Sequence, residues 1–191
     1  MGGFNLITIY LVRHCEAAGQ EPEAPLTPQG EEASLRLASY FEKKSIESIV
    51  SSPYARAIAT VRPLAEALGL EIEIDDRLKE RVLSSAPLED WVAKLEAVYA
   101  DLDLRYEGGE SSREAMARGI SVLEKLRNRP ESRFVLVTHG ALLSLMLKHY
   151  QPEIGFREWS RLTNPDLFRL ELGDAEARFE RELLPSSFSK G

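Results

Sequence analysis

LITIYLVRHCE, Leu6 to Glu16, passes from an apolar run straight into two cationic side chains with no turn residue between them. Leu6 to Val12 is dominated by β-branched and apolar residues. A run so short and so continuous reads as a strand buried on both faces. Such strands belong to sheets covered by helices on both sides, and ligands bind just beyond the carboxyl ends of their strands. Arg13 and His14 stand at that end, where a buried strand rarely finishes.

Outward from this strand, Thr27-Pro28 supplies an N-cap followed by proline at the first helical position, with Glu31 and Glu32 in the first turn. Ala33, Leu37, Tyr40 and Phe41 share one face of the helix that follows. Ile46 to Ser51 is a second strand. Ser52-Pro53 repeats the cap-then-proline signal and opens a helix towards Leu68, kinked or broken near Pro63 and ended by Gly69. Leu70 to Ile74 reads as a third strand. Leu88 to Tyr99 has helical periodicity, with Trp91, Leu95 and Val98 on one side. Ser111 and Glu114 form a capping box for a helix whose apolar face is Met116, Ile120, Leu123 and Leu126. Phe134 to Val137 is a fourth buried strand, and Ala141 to Leu147 an almost wholly apolar helix. Leu167 to Leu172 and Ala177 to Leu184 flank Gly173-Asp174 as a β-hairpin. The alternation predicts an α/β fold: a mostly parallel sheet with helices on both faces and an antiparallel edge from the C-terminal hairpin.

The 191 residues suit a single domain over 1–191, with the weakly patterned stretch at about 81–107 as a candidate lid. A formal net charge of -7 with no Lys/Arg run argues against nucleic acid and anionic membranes as partners. If the substrate is anionic, its positive surroundings must be local. The one cysteine, Cys15, excludes an internal disulfide, and no Cys/His spacing suggests zinc. No run approaches a membrane span, no signal sequence is evident, and Leu6 is not the Ser/Thr that myristoylation at Gly2 requires. A cytoplasmic location is the default. The hairpin edge offers a surface for a homodimer.

Chemistry gathers at the strand ends. Arg13 and His14 follow the first strand, Arg56 lies in the first helical turn after the second, and His139 follows the fourth. Residues so placed share one edge of a parallel sheet and converge although distant in sequence. A helix N-terminus normally favours Asp or Glu, so Arg56 implies an anion nearby.

The blocks L-V-R-H-C-E (Leu11 to Glu16), L-T-P-Q-G (Leu26 to Gly30), S-S-P-Y-A-R-A-I-A-T (Ser51 to Thr60), L-K-E-R (Leu78 to Arg81), G-G-E-S (Gly108 to Ser111) and V-T-H-G (Val137 to Gly140) resemble the histidine phosphatase superfamily, the phosphoglycerate mutase-like enzymes. The resemblance implies a phosphatase acting on phosphate monoesters of small metabolites. In it His14 becomes phosphohistidine, Arg13, Arg56 and His139 grip the phosphoryl oxygens, and Glu80 gives a proton to the leaving alkoxide. Glu16 and Asp76 are the substitutes for Glu80. Gln20 and Arg81 are further candidate substrate contacts. Phosphoryl transfer needs alignment and charge more than covalent help. Arginines supply bidentate donors for it, a neutral imidazole is a competent nucleophile, and no metal or other cofactor is called for.

The sequence departs from the family at Cys15, where Gly is usual. That cysteine is strained if its φ is positive, and it is either an activated thiol beside two cations or, as the plainer reading, a small buried residue. Ala17 replaces a common Thr, and Gln20 stands where many members have Asn. Gly108 to Ser111 has a clear structural role in turning the chain and capping a helix. Two other functions compete: mutase-type phosphoryl transfer, disfavoured by the short Arg81 to Glu107 segment, and a non-catalytic phosphoester-binding module, disfavoured by the presence of both histidines and both arginines.

Overall fold

The computed structural model describes residues 6–173 and 176–184. Gly2 and the hairpin residue Asp174 lie outside the described residues. The strand sequence is β1 (Ile7–Arg13), β2 (Ser48–Ser51), β3 (Ile72–Ile74), β4 (Arg133–Thr138), β5 (Asp166–Leu172) and β6 (Ala177–Glu182). They form one sheet in the order β3-β2-β4-β1-β5-β6. The first four of that order run parallel; β5 pairs antiparallel with β1, and β6 antiparallel with β5. The α/β fold, its parallel core and its antiparallel edge match the sequence reading.

The pleat of β1 shows why the run Leu6 to Val12 does not alternate. Ile7, Ile9 and Leu11 face one apolar cluster, with Leu123, Leu126, Leu142 and Met146. Tyr10 and Val12 face another, with Leu37, Phe41, Val61 and Leu64. Helices α1 (Pro28–Phe41) and α2 (Ala55–Leu68) cover the second face; α3 (Trp91–Ala100), α4 (Ser112–Arg127) and α5 (Gly140–Tyr150) cover the first, with the short α6 (Phe156–Trp159) against them. Both faces being covered, the run is apolar except at the partly buried Thr8. No helix among the described residues is long and apolar enough to cross a membrane.

Local signals held where nothing competed. Thr27 Oγ1 accepts from Gly30 N and caps α1, the Ser111–Glu114 box caps α4, and Gly69, at φ 64°, closes α2. Elsewhere packing prevailed. α2 begins at Ala55, not Pro53: Ser52 Oγ accepts from Tyr54 N at 3.3 Å, ahead of the helix, and also hydrogen-bonds with His139 Nε2 at 2.8 Å. It also runs unbroken through Pro63: Ala57 and Val61 before the proline and Leu64 and Ala65 after it are all buried on the sheet and hold both turns in line. In α3 the buried residues are Leu95, Val98 and Tyr99, while Trp91 is 49% exposed. In α4 the core face rotates to Ala115, Gly119, Val122, Leu123 and Leu126, leaving Met116 and Ile120 at its margin. Glycine there admits close approach: a Cβ on Gly119 would lie 2.7 Å from the Met146 side chain of α5.

Candidate active site

Three adjacent strands deliver the site. His14 extends β1 by one residue, its N–H donating to the Thr138 carbonyl at 3.0 Å, and Ser52 extends β2 in the same way towards Val137 at 3.0 Å. His139 follows β4 and is the N-cap of α5. The His14 and His139 rings therefore meet edge to face, centroids 5.1 Å apart. Arg56, at the second position of α2, is 1% exposed and reaches the same place. The sheet edge thus brings His14, His139, Arg13 and Arg56 together.

The partners of His14 set its tautomer. Nδ1 lies 2.7 Å from the Cys15 carbonyl, which can only accept, and Nε2 lies 3.2 Å from Arg56 Nε, which can only donate. Nδ1 therefore carries the proton and Nε2 presents its lone pair. Burial, with Arg56 and Arg13 opposing a second positive charge, pushes the His14 imidazole down from 6.5 to about 4, although its bond to Cys15 works the other way. His139 is pushed down to about 2, by burial first and then by His14 and Arg56. Its Nε2 hydrogen-bonds with Ser52 Oγ at 2.8 Å. Both imidazoles are neutral at pH 7.

The guanidiniums are held by backbone carbonyls. Arg56 Nη1 donates to Gln20 O at 3.1 Å and Glu21 O at 2.9 Å. Arg13 Nη1 donates to Leu162 O at 3.0 Å. Among the described residues neither Nη2 has an acceptor. Gly140 lets Arg13 lie against the start of α5, since a Cβ there would stand 3.0 Å from Arg13 Nε. Burial pushes both guanidiniums down from their ordinary value while Glu80 opposes this. An arginine keeps its charge under such a push, so the desolvation favours binding of an anion.

Glu80 follows the 3-10 turn Asp76–Leu78. Its carboxylate accepts from Ala141 N at 3.1 Å, Leu142 N at 3.0 Å and Arg81 N at 2.7 Å. His139 offers no side-chain cap, so Glu80 satisfies the orphan donors of α5 from a distant segment. Arg81 borders the site but turns inward: Nη2 donates to Glu110 O at 3.1 Å, while Nε and Nη1 are shut from solvent without partners. Gln20 is exposed and touches Arg56 through its carbonyl. Of the alternative acids, Glu16 pairs with the Thr27 hydroxyl at 2.8 Å and Asp76 with Lys79 at 3.1 Å.

Three residues that support the site were not singled out from the sequence. Ser52 orients His139. Thr60 Oγ1 accepts from Cys15 N at 2.9 Å and donates to Arg56 O at 2.7 Å, tying the His14 loop to α2. Asn164 Nδ2 donates to the His14 carbonyl at 2.9 Å, across 150 positions of sequence. Cys15 is fully buried and has no positive φ, and burial raises its thiol to about 12. It is a small core residue, neither strained nor activated. Among the described residues no three His, Cys, Asp or Glu side chains cluster as metal ligands would.

A cleft of about 370 Å³ opens beside these groups, bordered by Gln20, Arg56, Glu80 and Arg81. A larger one of about 720 Å³, between α1 and α2, contains none of the site residues. Its size does not make it the site: its titratable residues are Glu23, Glu31, Glu66 and Arg62, three acids to one base, and no histidine faces it.

Comparisons with known proteins give the family and the fold. The family model for the histidine phosphatase superfamily (branch 1) matches residues 9–182. The probable phosphoglycerate mutase GpmB of Shigella dysenteriae serotype 1 (strain Sd197) is 30% identical over 188 residues, covering 87% of this chain and 85% of that protein. The solved structure of Bacillus stearothermophilus YhfR superposes with a TM-score of 0.76 at 21% identity, over 92% of this chain and 96% of that one. A mycobacterial glucosyl-3-phosphoglycerate phosphatase superposes with a TM-score of 0.72 at 22% identity, over 95% and 100%. These two structures speak to the fold.

Proposed function

Because this chain belongs to the histidine phosphatase superfamily, branch 1, we propose that it hydrolyses phosphate monoesters through a phosphohistidine on His14. The observation that carries this reading is the tautomer of His14, whose Nε2 lone pair meets Arg56 and whose proton is committed to Cys15 O. The Arg56 Nε–H lies 3.2 Å from Nε2, on the side of the lone pair that would attack phosphorus. A bound phosphoryl oxygen takes over that donor, along with the open Nη2 atoms of Arg13 and Arg56, and frees Nε2 for attack. The N–P bond forms as the P–O bond to the alcohol breaks, and Glu80 hands its proton to the alkoxide. Water then attacks the phosphohistidine, returning its proton to Glu80, and releases phosphate. Charge from Arg13 and Arg56 compensates the phosphoryl group, and no metal is required by this scheme.

The test is hydrolysis of an alkyl and an aryl phosphate in excess EDTA, with acid-stable and acid-labile phosphoenzyme resolved by ³¹P spectroscopy. Wild type is expected to turn over both and form an acid-labile adduct; His14→Ala loses both. Glu80→Gln is expected to lose about 10²–10⁴-fold on the alkyl ester and far less on the aryl ester, whose leaving group needs no proton. Metal-dependent activity, or activity that survives in His14→Ala, refutes the scheme.

A mutase reading is favoured by the similarity to the probable phosphoglycerate mutase GpmB. Interconversion of 3- and 2-phosphoglycerate faster than their hydrolysis would establish it in place of the phosphatase.

A further inference from the structure

Beside the phosphate-gripping groups, the apolar wall of the cleft is Tyr54, Val82, Leu83, Ala86, Leu88 and Trp91; Gln20 and Ser84 also border it, the Ser84 hydroxyl donating to Glu107 O at 3.1 Å. Large apolar side chains are left to water at its mouth: Val82 is 45% and Trp91 49% exposed, with Val92 next to it at 46%. Apolar surface gathered around a polar site usually waits for a ligand. Both aromatic walls are braced. Trp91 meets Trp159 edge-on at 6.3 Å, and the Arg56 guanidinium lies over the Tyr54 ring at 4.9 Å.

Charge narrows the ligand further. Among the described residues bordering the cleft, the cations are Arg56 and Arg81, and the carboxylate is Glu80. Arg56 serves His14 and the phosphoryl group. The unpaired nitrogens of Arg81 are closed to solvent, so a ligand in the cleft does not reach them. Among the described residues bordering the cleft, a second anionic group on the substrate would find no cation free to pair with it. At about 370 Å³ the space is at the small end for organic ligands, enough for one ring or a branched chain.

We propose that the substrate is a phosphate monoester of an uncharged, apolar alcohol, whose aryl or branched aliphatic group fills the cleft between Tyr54 and Trp91. This rests on the phosphatase reading of the same site.

The test compares kcat/KM for benzyl phosphate, glycerol 3-phosphate and 3-phosphoglycerate, all esters of poorly leaving alcohols, in wild type, Trp91→Ala and Trp91→Phe. Benzyl phosphate is expected to exceed glycerol 3-phosphate by about 30-fold, from the apolar area a ring buries, and 3-phosphoglycerate to be poorest. Trp91→Ala should shrink the benzyl-to-glycerol ratio by about tenfold, through KM rather than kcat, and Trp91→Phe should restore most of it. A preference for 3-phosphoglycerate, or a ratio indifferent to Trp91→Ala, overturns the substrate class and leaves the phosphatase reading standing. If wild type hydrolyses none of the three, calorimetry with benzylphosphonate and phosphonoacetate separates the claims. Tighter binding of benzylphosphonate upholds the apolar cleft while the phosphatase reading fails; tighter binding of phosphonoacetate overturns the cleft assignment.

Discussion

Acidification is the perturbation that most directly probes His14. An ordinary imidazole takes its proton near 6.5, whereas burial between two guanidiniums holds His14 down to about 4. At pH 5.2, a group titrating at 4 is ~94% neutral and one titrating at 6.5 only ~5%, so the environment is worth a factor of ~20 in competent nucleophile there. The assay is kcat/KM on an alkyl phosphate from pH 3.5 to 8, fitted with the substrate's own second ionisation, at about 6, as a separate step. Long-range ¹⁵N–¹H spectra of the imidazole read the same titration without substrate and report the tautomer. Enzyme activity should persist to near pH 4.5, with the Nδ1–H form dominant above it. Linkage supplies a second readout. The folded pKa is depressed, so between about 4 and 6.5 the unfolded chain binds the extra proton; stability is full above 6.5 and is lost as the pH falls towards 4. One such imidazole contributes at most about 1.4 kcal/mol per pH unit in that window. A His14 resonance titrating near 6.5, or showing Nε2–H at neutral pH, would refute the reasoning.

Arg56→Lys loses the Nε donor to His14 and the fork that reaches Gln20 and Glu21, and leaves an ammonium that burial readily shifts towards neutrality; kcat/KM should fall about 10²–10³-fold with little change in fold by circular dichroism. Cys15, with its thiol raised to about 12 and fully buried, should resist iodoacetamide at pH 8 in the folded state and react once guanidinium unfolds the chain; rapid labelling of native protein would contradict its placement. Gly30→Ala would drive a Cβ to 2.1 Å from the Glu16 carbonyl, so stability should drop by about 1–3 kcal/mol in urea melts.

What was legible in the sequence depended on whether the signal was local. Arg13, His14 and His139 stood out because an apolar run with both faces buried has to end abruptly, and a charged end has one plain use. Arg56 stood out because it opposes the helix dipole. Glu80 could be reached only through resemblance: it caps α5 from 61 and 62 positions away, and the α5 donors carry no mark in the sequence. Ser52 was misread for a physical reason. A serine before proline looks like a helix cap, but the same hydroxyl serves His139 87 positions on, a tertiary partner that local chemistry does not reveal. Asn164 and Thr60 belong to that class, as polar residues whose acceptors and donors are set by the sheet order.

The charge of the site follows a simpler rule than its hydrogen bonds. On the proposed reading, a chain of formal charge -7 must grip an anion while its nucleophile stays uncharged. Desolvation accomplishes both at once. It presses His14, His139, Arg13 and Arg56 in the same direction. The imidazoles start at 6.5 and end neutral; the guanidiniums start at 12.5 and remain cations. One buried pocket therefore separates the two roles by residue type alone. That is why histidine for attack and arginine for grip can sit side by side, and why a lysine, whose pKa burial shifts readily, would not serve in the position of Arg56.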